Sequence, residues 1–134
     1  MIPLFGEHGY LPPRICPCAV AELVTRFGTG SPEREVETQE LPEFINWARQ
    51  AGVERLIVNG SYATDAPAPQ DVDLVILPGP DYPRAQQSAT DEETIWPFLH
   101  VIVAADHDDL EAWCMRDFGT DRMLRPKGVV EVLL

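Results

Sequence analysis

The period of the apolar residues changes at Gly52, and this change constrains the fold more than any other feature of the chain. Before it the spacing is helical. Val20, Leu23, Val24 and Phe27 recur at i, i+3, i+4 and i+7, and Pro17 suits the first turn of such a helix, with Gly28 as a left-handed cap. Ser31-Pro32 starts a second helix toward Gly52 with Leu41, Phe44, Ile45 and Ala48 on one stripe, and Pro42 is expected to kink or split it. After Gly52 the runs are short and continuously apolar, as in buried strands: Arg55–Asn59, Asp71–Leu77, Phe98–Ala105 and Val129–Leu134. Asp108 and Glu111 suit the start of a helix through Phe118. The order predicts one α+β domain over 1–134, a small mixed sheet flanked by helices, with 1–15 as an extended N-terminal arm. The proline-bearing segment 78–94 is expected to be a mobile loop.

Composition narrows the function classes. No apolar run approaches the ~20 residues a bilayer span needs, and the opening residues lack a basic stretch, so no membrane role is expected. Three cysteines do not suggest a disulfide scaffold, and a reducing cytoplasm fits them best. Cys16, Cys18 and the distant Cys114 lack the count for a four-ligand metal site and are expected to pack. Ten basic against 22 acidic residues give a net charge of −12, which opposes docking of a long nucleic acid without help. Within this excess of acid, Arg125 and Lys127, the latter the sole lysine, are candidate contacts for phosphate oxygens.

The segment from Val58 to Leu74 carries the most chemistry. Asp71 and Asp73, two apart on a strand, project from one face, and without a cation they repel and raise each other's pKa. Mg²⁺ removes that penalty, being a hard ion that takes carboxylate and phosphate oxygens. Gly60-Ser61 ends the preceding strand, where glycine admits a phosphate to the backbone and serine supplies a hydroxyl. Metal ligands beside an anion cradle are what phosphoryl or nucleotidyl transfer needs. His100 is expected to be a hydrogen-bonded, half-buried strand residue.

This pattern, a strand, Gly60-Ser61, then Asp71-Val72-Asp73-Leu74, resembles that of the DNA-polymerase-β-like nucleotidyltransferases. Within them it is most similar to the minimal stand-alone members often found as antitoxins. The opening Phe5–Pro13 and the closing Arg125–Val130 resemble an uncharacterised bacterial family of that kind. The resemblance implies a nucleotidyltransferase-like fold and transfer of a nucleoside monophosphate from a nucleoside triphosphate to a hydroxyl. It also implies Gly60 and Ser61 on the triphosphate and two Mg²⁺ ions on Asp71 and Asp73. Where many such proteins continue Gly-Ser with x-Ala-Arg-Gly, this chain reads Tyr62-Ala63-Thr64-Asp65. The third acid of active members has no counterpart inside the strand 98–105, where Ile102 stands; Asp106, just past its end, is the expected substitute as base and metal ligand.

The resulting expectation is a Mg²⁺-dependent transferase acting on a protein hydroxyl, completed by a protein partner or a homodimer, with a role in a toxin–antitoxin pair. The alternative is a catalytically degenerate binding module, an antitoxin or regulatory subunit without turnover. That outcome is expected if Asp106 stands away from Asp71 and Asp73.

Overall fold

The computed structural model describes residues 2–82 and 96–134. The chain runs β1 (Ile15–Cys18), α1 (Val20–Phe27), α2 (Pro32–Ala51), β2 (Val53–Asn59), a 3-10 turn (Ser61–Ala63) and β3 (Val72–Pro78). It continues through β4 (Leu99–Val103), α3 (His107–Ala112), a π-helical turn (Trp113–Asp117) and β5 (Val129–Val132). The strands form one mixed sheet in the order β1-β5-β2-β3-β4. β2 is antiparallel to both β3 and β5, while β1 is parallel to β5 and β4 is parallel to β3. The expected α+β architecture with a small mixed sheet is therefore present. No helix among the described residues is long and apolar enough to cross a membrane.

Alternation along the strands builds two apolar layers. On one face Leu56, Val58, Leu74, Ile76 and Val130 pack with Leu23, Phe27, Leu41, Phe44 and Ile45 of α1 and α2. On the other, Ile57, Val75, Leu77 and Val129 pack with Leu110 and Cys114. All three cysteines are buried and free, and burial pushes the thiols of Cys18 and Cys114 up to about 11, as packed side chains rather than reactive ones.

Four local expectations are corrected. Pro17 does not start a helix: Ile15–Cys18 is an extra strand at the sheet edge, where a missing N–H is tolerated. Pro42 does not split α2, which runs unbroken from Pro32 to Ala51. Leu41, Phe44, Ile45 and Ala48 are fully buried on both sides of the proline, and their packing outweighs a local cost of about 3 kcal/mol. Gly28 is not left-handed, with φ −84° and ψ 3°. It is there because a Cβ would press on the Val24 carbonyl oxygen and the Thr38 side chain. The third helix is capped not by Asp108 but by Asp106, whose carboxylate accepts the Asp109 N–H at 2.8 Å. The expected loop 78–94 begins inside β3, and its part from 83 onward lies outside the described residues.

The arm before β1 is pinned rather than free. Ile2 and Leu11 are buried, Tyr10 bridges Thr64, and the Asp65 N–H donates to the Gly9 carbonyl at 3.0 Å. The Asp65 backbone thus fastens the arm to the β2–β3 connection.

That connection is held from beneath by Arg34. This residue of α2 is 5% exposed, and its guanidinium donates to the carbonyls of Phe27, Tyr62, Thr64 and Ala66, the last twice. All five N–H donors of the group are used. Arg34→Gln should lower stability in urea unfolding by about 3 kcal/mol or more, because buried carbonyls lose their donors. Arg34→Lys should recover only part of the loss, since an ammonium cannot span four carbonyls.

Candidate functional site

The end of β2 and the start of β3 make the site. Asn59 and Asp73 are register partners on these antiparallel strands, so the turn that leaves β2 at Gly60 lies beside Asp73. Gly60 has φ 74° and ψ −164°, and a Cβ built on it would meet the Asp73 carboxylate. Only glycine lets the carboxylate stand against the backbone here. Ser61 follows at the start of the 3-10 turn and is exposed. Tyr62, fully buried with its hydroxyl 2.7 Å from Thr38 Oγ1, anchors this turn to α2.

Asp71 lies just before β3 and is partly buried. Burial first, and then the charge of Asp73, raise its pKa, while His100 works in the other direction. Of the expected pair, it is the charge of Asp73 that acts on Asp71. Glu37 of α2 adds a third acid to their field. It is 2% exposed, its Oε1 has no partner, and burial lifts its pKa to about 7 although Arg34 opposes the shift.

Asp106 does not join them. β4 runs parallel to β3, pairing Asp73 with His100 and Ile76 with Val103, so the chain beyond Val103 emerges at the opposite end of the sheet from Asp73. Asp106 there caps α3. Ile102 faces Val75, one step past the place where it was expected beside the acids. The cross-strand neighbour of Asp73 is His100, with Nδ1 at 2.9 Å from Asp73 Oδ1. Its side chain is 57% exposed, so it is hydrogen-bonded as expected but less buried.

The two basic candidates separate as well. Arg125 is committed to Asp121, with Nε to Oδ2 at 2.9 Å, and its Nη1 lies 3.4 Å from His8 Nδ1. Desolvation would raise the Asp121 carboxyl, but the backbone N–H of Arg125, the Tyr10 hydroxyl, the Arg125 guanidinium and the Met123 N–H hold it well below the usual range. Lys127 is partly buried, with Nζ 5.9 Å from the centre of the Tyr10 ring. Burial lowers its pKa, while the charges of Asp121 and Asp73 raise it. Lys127 thus shares the field of Asp73, whereas Arg125 is paired with Asp121.

Two residues of this site were not singled out from the sequence. Asn59 is fully buried, and neither its Oδ1 nor its Nδ2 has a partner. The only sequence signal was a polar residue closing an otherwise apolar strand. Glu37 gave none, being one of several acids on α2.

Among the described residues, no three His, Cys, Asp or Glu side chains are grouped so as to hold a metal ion by themselves. The donors still suit Mg²⁺ arriving with phosphates, since that ion is commonly held by one or two carboxylates plus substrate oxygens. The mutual repulsion of Asp71 and Asp73, and the unpartnered Asn59 amide, are the features such an ion relieves.

The DUF6932 family, a family of unknown function, matches residues 3–133. This chain belongs to DUF6932. The match takes in the pinned arm, the Gly60–Asp73 site and the Lys127 loop together. No curated protein and no solved structure matches it.

Two outcomes test this geometry. Gly60→Ala should lower the melting temperature by the equivalent of at least about 1 kcal/mol more than Gly30→Ala does. Both glycines have positive φ, but a Cβ on Gly30 meets nothing within 4 Å. Glu37, whose pKa of about 7 exceeds the ordinary 4.5, holds its proton more tightly when folded. Its contribution is full at low pH and is lost as the pH rises through 7. Urea unfolding from pH 5 to pH 8 should therefore show a fall of up to about 3 kcal/mol that Glu37→Gln removes.

Proposed function

We propose that this DUF6932 chain is a nucleotidyltransferase-type domain that binds a nucleoside triphosphate with Mg²⁺ and passes a nucleoside monophosphate to a hydroxyl on a protein. The α-phosphorus forms a bond to the hydroxyl oxygen as its bond to pyrophosphate breaks, with pyrophosphate and the hydroxyl proton released. The observation that carries this reading is the contact between Gly60 and the Asp73 carboxylate. A positive-φ glycine turn and an acid of a paired set meet at one point, beside an exposed serine.

In this reading the residues divide the work. The Gly60-Ser61 turn offers backbone N–H groups and the Ser61 hydroxyl to the phosphates. Asp71 and Asp73 would hold Mg²⁺, which when bound supplies charge neutralisation and polarisation of the phosphoryl oxygens. Lys127, whose charge already responds to Asp73, adds a cation to the phosphate side. Arg125 is paired with Asp121, which also accepts the Tyr10 hydroxyl. Arg34 keeps the turn in place without touching the ligand. A net charge of −12 favours a protein acceptor over a long polyanion, and a partner or second copy would complete the acceptor side. Three buried free thiols fit a cytoplasmic setting.

A specific observation favours a second reading. The place beside Asp73 on β4 holds His100 and not a carboxylate, and Asp106 is a helix cap at the far end of β4. This suits a domain that binds its ligand or a partner without turnover, as an antitoxin or regulatory subunit would.

Thermal unfolding with each of the four ribonucleoside triphosphates, with and without Mg²⁺, tests the proposal. A ligand at a hundredfold excess over its Kd should stabilise the fold by about 2.7 kcal/mol, a shift of several degrees. The shift should require Mg²⁺ and vanish in Asp73→Ala. No shift with any triphosphate would overturn ligand binding and with it the transferase. Mg²⁺-dependent binding without a nucleotide adduct on any protein by intact-mass spectrometry would select the second reading.

A further inference from the structure

Leu124 is the one non-glycine residue with positive φ among the described residues, at 61°. A Cβ is crowded in this left-handed region, which suits glycine or asparagine. Leucine there costs stability, so its side chain rather than its backbone has to account for it. Yet that side chain serves no core. Leu124 is 80% exposed, and Met123 beside it is 72% exposed.

The loop that carries this pair is tied down by hydrogen bonds. The Asp121 N–H donates to the Arg125 carbonyl at 3.0 Å, the Leu124 N–H donates to the Asp121 carbonyl at 3.0 Å, and the Lys127 N–H donates to the Gly119 carbonyl at 2.9 Å. The Asp121 carboxylate accepts the N–H groups of Met123 and Arg125 on Oδ1 and the Tyr10 hydroxyl on Oδ2. Two large apolar side chains are thus held out to solvent on a pre-formed tip, which lowers the ordering cost of a contact made there.

The chain also carries a recess of matching character. At the far end of β3 and β4, Pro78, Pro80, Tyr82, Val103 and Ala105 line about 400 Å³, a volume in the range of small-ligand clefts. Asp81 lies between two of the lining residues, and Asp106 directly follows Ala105. Asp108, Asp109 and Glu111 come next along α3, and residues 78–82 and 103–111 contain no lysine or arginine. His107 stands 3.6 Å from Glu54, whose Cβ is 3.8 Å from where a Gly79 Cβ would be. The tip has the opposite sign: residues 119–127 hold Arg122, Arg125 and Lys127 against Asp121 alone. The tip precedes β5, which starts beside the end of β2 where Val130 pairs with Val58, so tip and recess lie at opposite ends of the sheet. They cannot meet within one chain.

We propose that the 119–127 loop is the plug of a head-to-tail contact between copies of this chain, with Met123 and Leu124 entering the recess of the next copy and Arg122 meeting its acidic rim. The contact uses neither Asp71 nor Asp73, so it stands or falls apart from the proposed function. Being heterologous, it either closes into a ring or continues from copy to copy.

Sedimentation equilibrium of the full chain from about 10 µM to about 1 mM covers the weak affinities of a small interface. Wild type should associate as concentration rises. Leu124→Asp should stay a single chain throughout, and so should Ala105→Arg, which puts a cation into the recess at an exposed position. An equimolar mixture of these two variants should regain a dimer and nothing larger, because one supplies the recess and the other the plug. Leu124→Asn, with a residue that tolerates the left-handed region, should melt no lower than wild type at low concentration yet associate at least about tenfold more weakly. Leu4→Asp, at an 85% exposed position outside both surfaces, should change nothing. A single-chain wild type across the range, association untouched by Leu124→Asp, or a mixture of the two folded variants that stays apart would overturn the proposal. A lower melting temperature for Leu124→Asn would overturn it too, by showing that the leucine serves its own fold. Flotation of a single-chain wild type with phosphatidylglycerol vesicles, lost in Leu124→Asp, would assign the tip to a lipid surface instead.

Discussion

The Arg34 guanidinium organises this molecule. Its five donors gather carbonyls from the end of α1, the 3-10 turn and the start of the β2–β3 connection. The Phe27 carbonyl closes α1, and the other three belong to chain that is turning from Gly60 toward Ala66, so sheet and helix ladders do not take them up. A buried charge usually needs an opposite charge beside it; here a ring of backbone dipoles adds to the charges of Glu37 and Asp65. The site turn thereby takes its position from α2, through Arg34 and through the Thr38–Tyr62 hydroxyl pair. Asp65, one residue beyond a clamped carbonyl, then fixes the N-terminal arm.

Above this support Asp73 is the electrostatic centre. It touches the Gly60 backbone, pairs with His100, disfavours ionisation of Asp71 and attracts Lys127. A single carboxylate thus links four separate pieces of chain. Beside it on β2, Asn59 is held dry with neither polar atom of its side chain paired, an unfavourable state in a low-dielectric surrounding.

The parts of the site visible in the sequence are those set by short-range geometry. Gly60-Ser61 ends β2 and Asp73 lies on β3, as the strand end and the two-residue period place them, while Asp71 falls one residue before the strand begins. Asp106 was misplaced because strand direction is not written locally. The long connection from β3 to β4 permits a parallel crossover, and that reverses which end of β4 meets Asp73. β1 was missed because Cys16-Pro17-Cys18 is too short and too proline-bearing to signal a strand; its identity comes from β5 lying alongside. Pro42 showed the same thing in a helix, where burial of Leu41 and Phe44 overrode a local rule. The main surprise, Asn59, needed the register of β2 against β3 before its isolation had any meaning.

The place of β5 carries a consequence for how the chain folds. It is the last strand in chain order, yet it lies inside the sheet, between the first strand and β2. Ile15 waits for Val129 before β1 has any neighbour at all. Until β5 is made, β2 presents an open apolar edge and β1 has nothing to pair with. Contacts of such long sequence separation form late and slowly. The chain is therefore most exposed to wrong pairing before β5 is added, when β2, β3 and β4 can already pair and their edge is still uncovered.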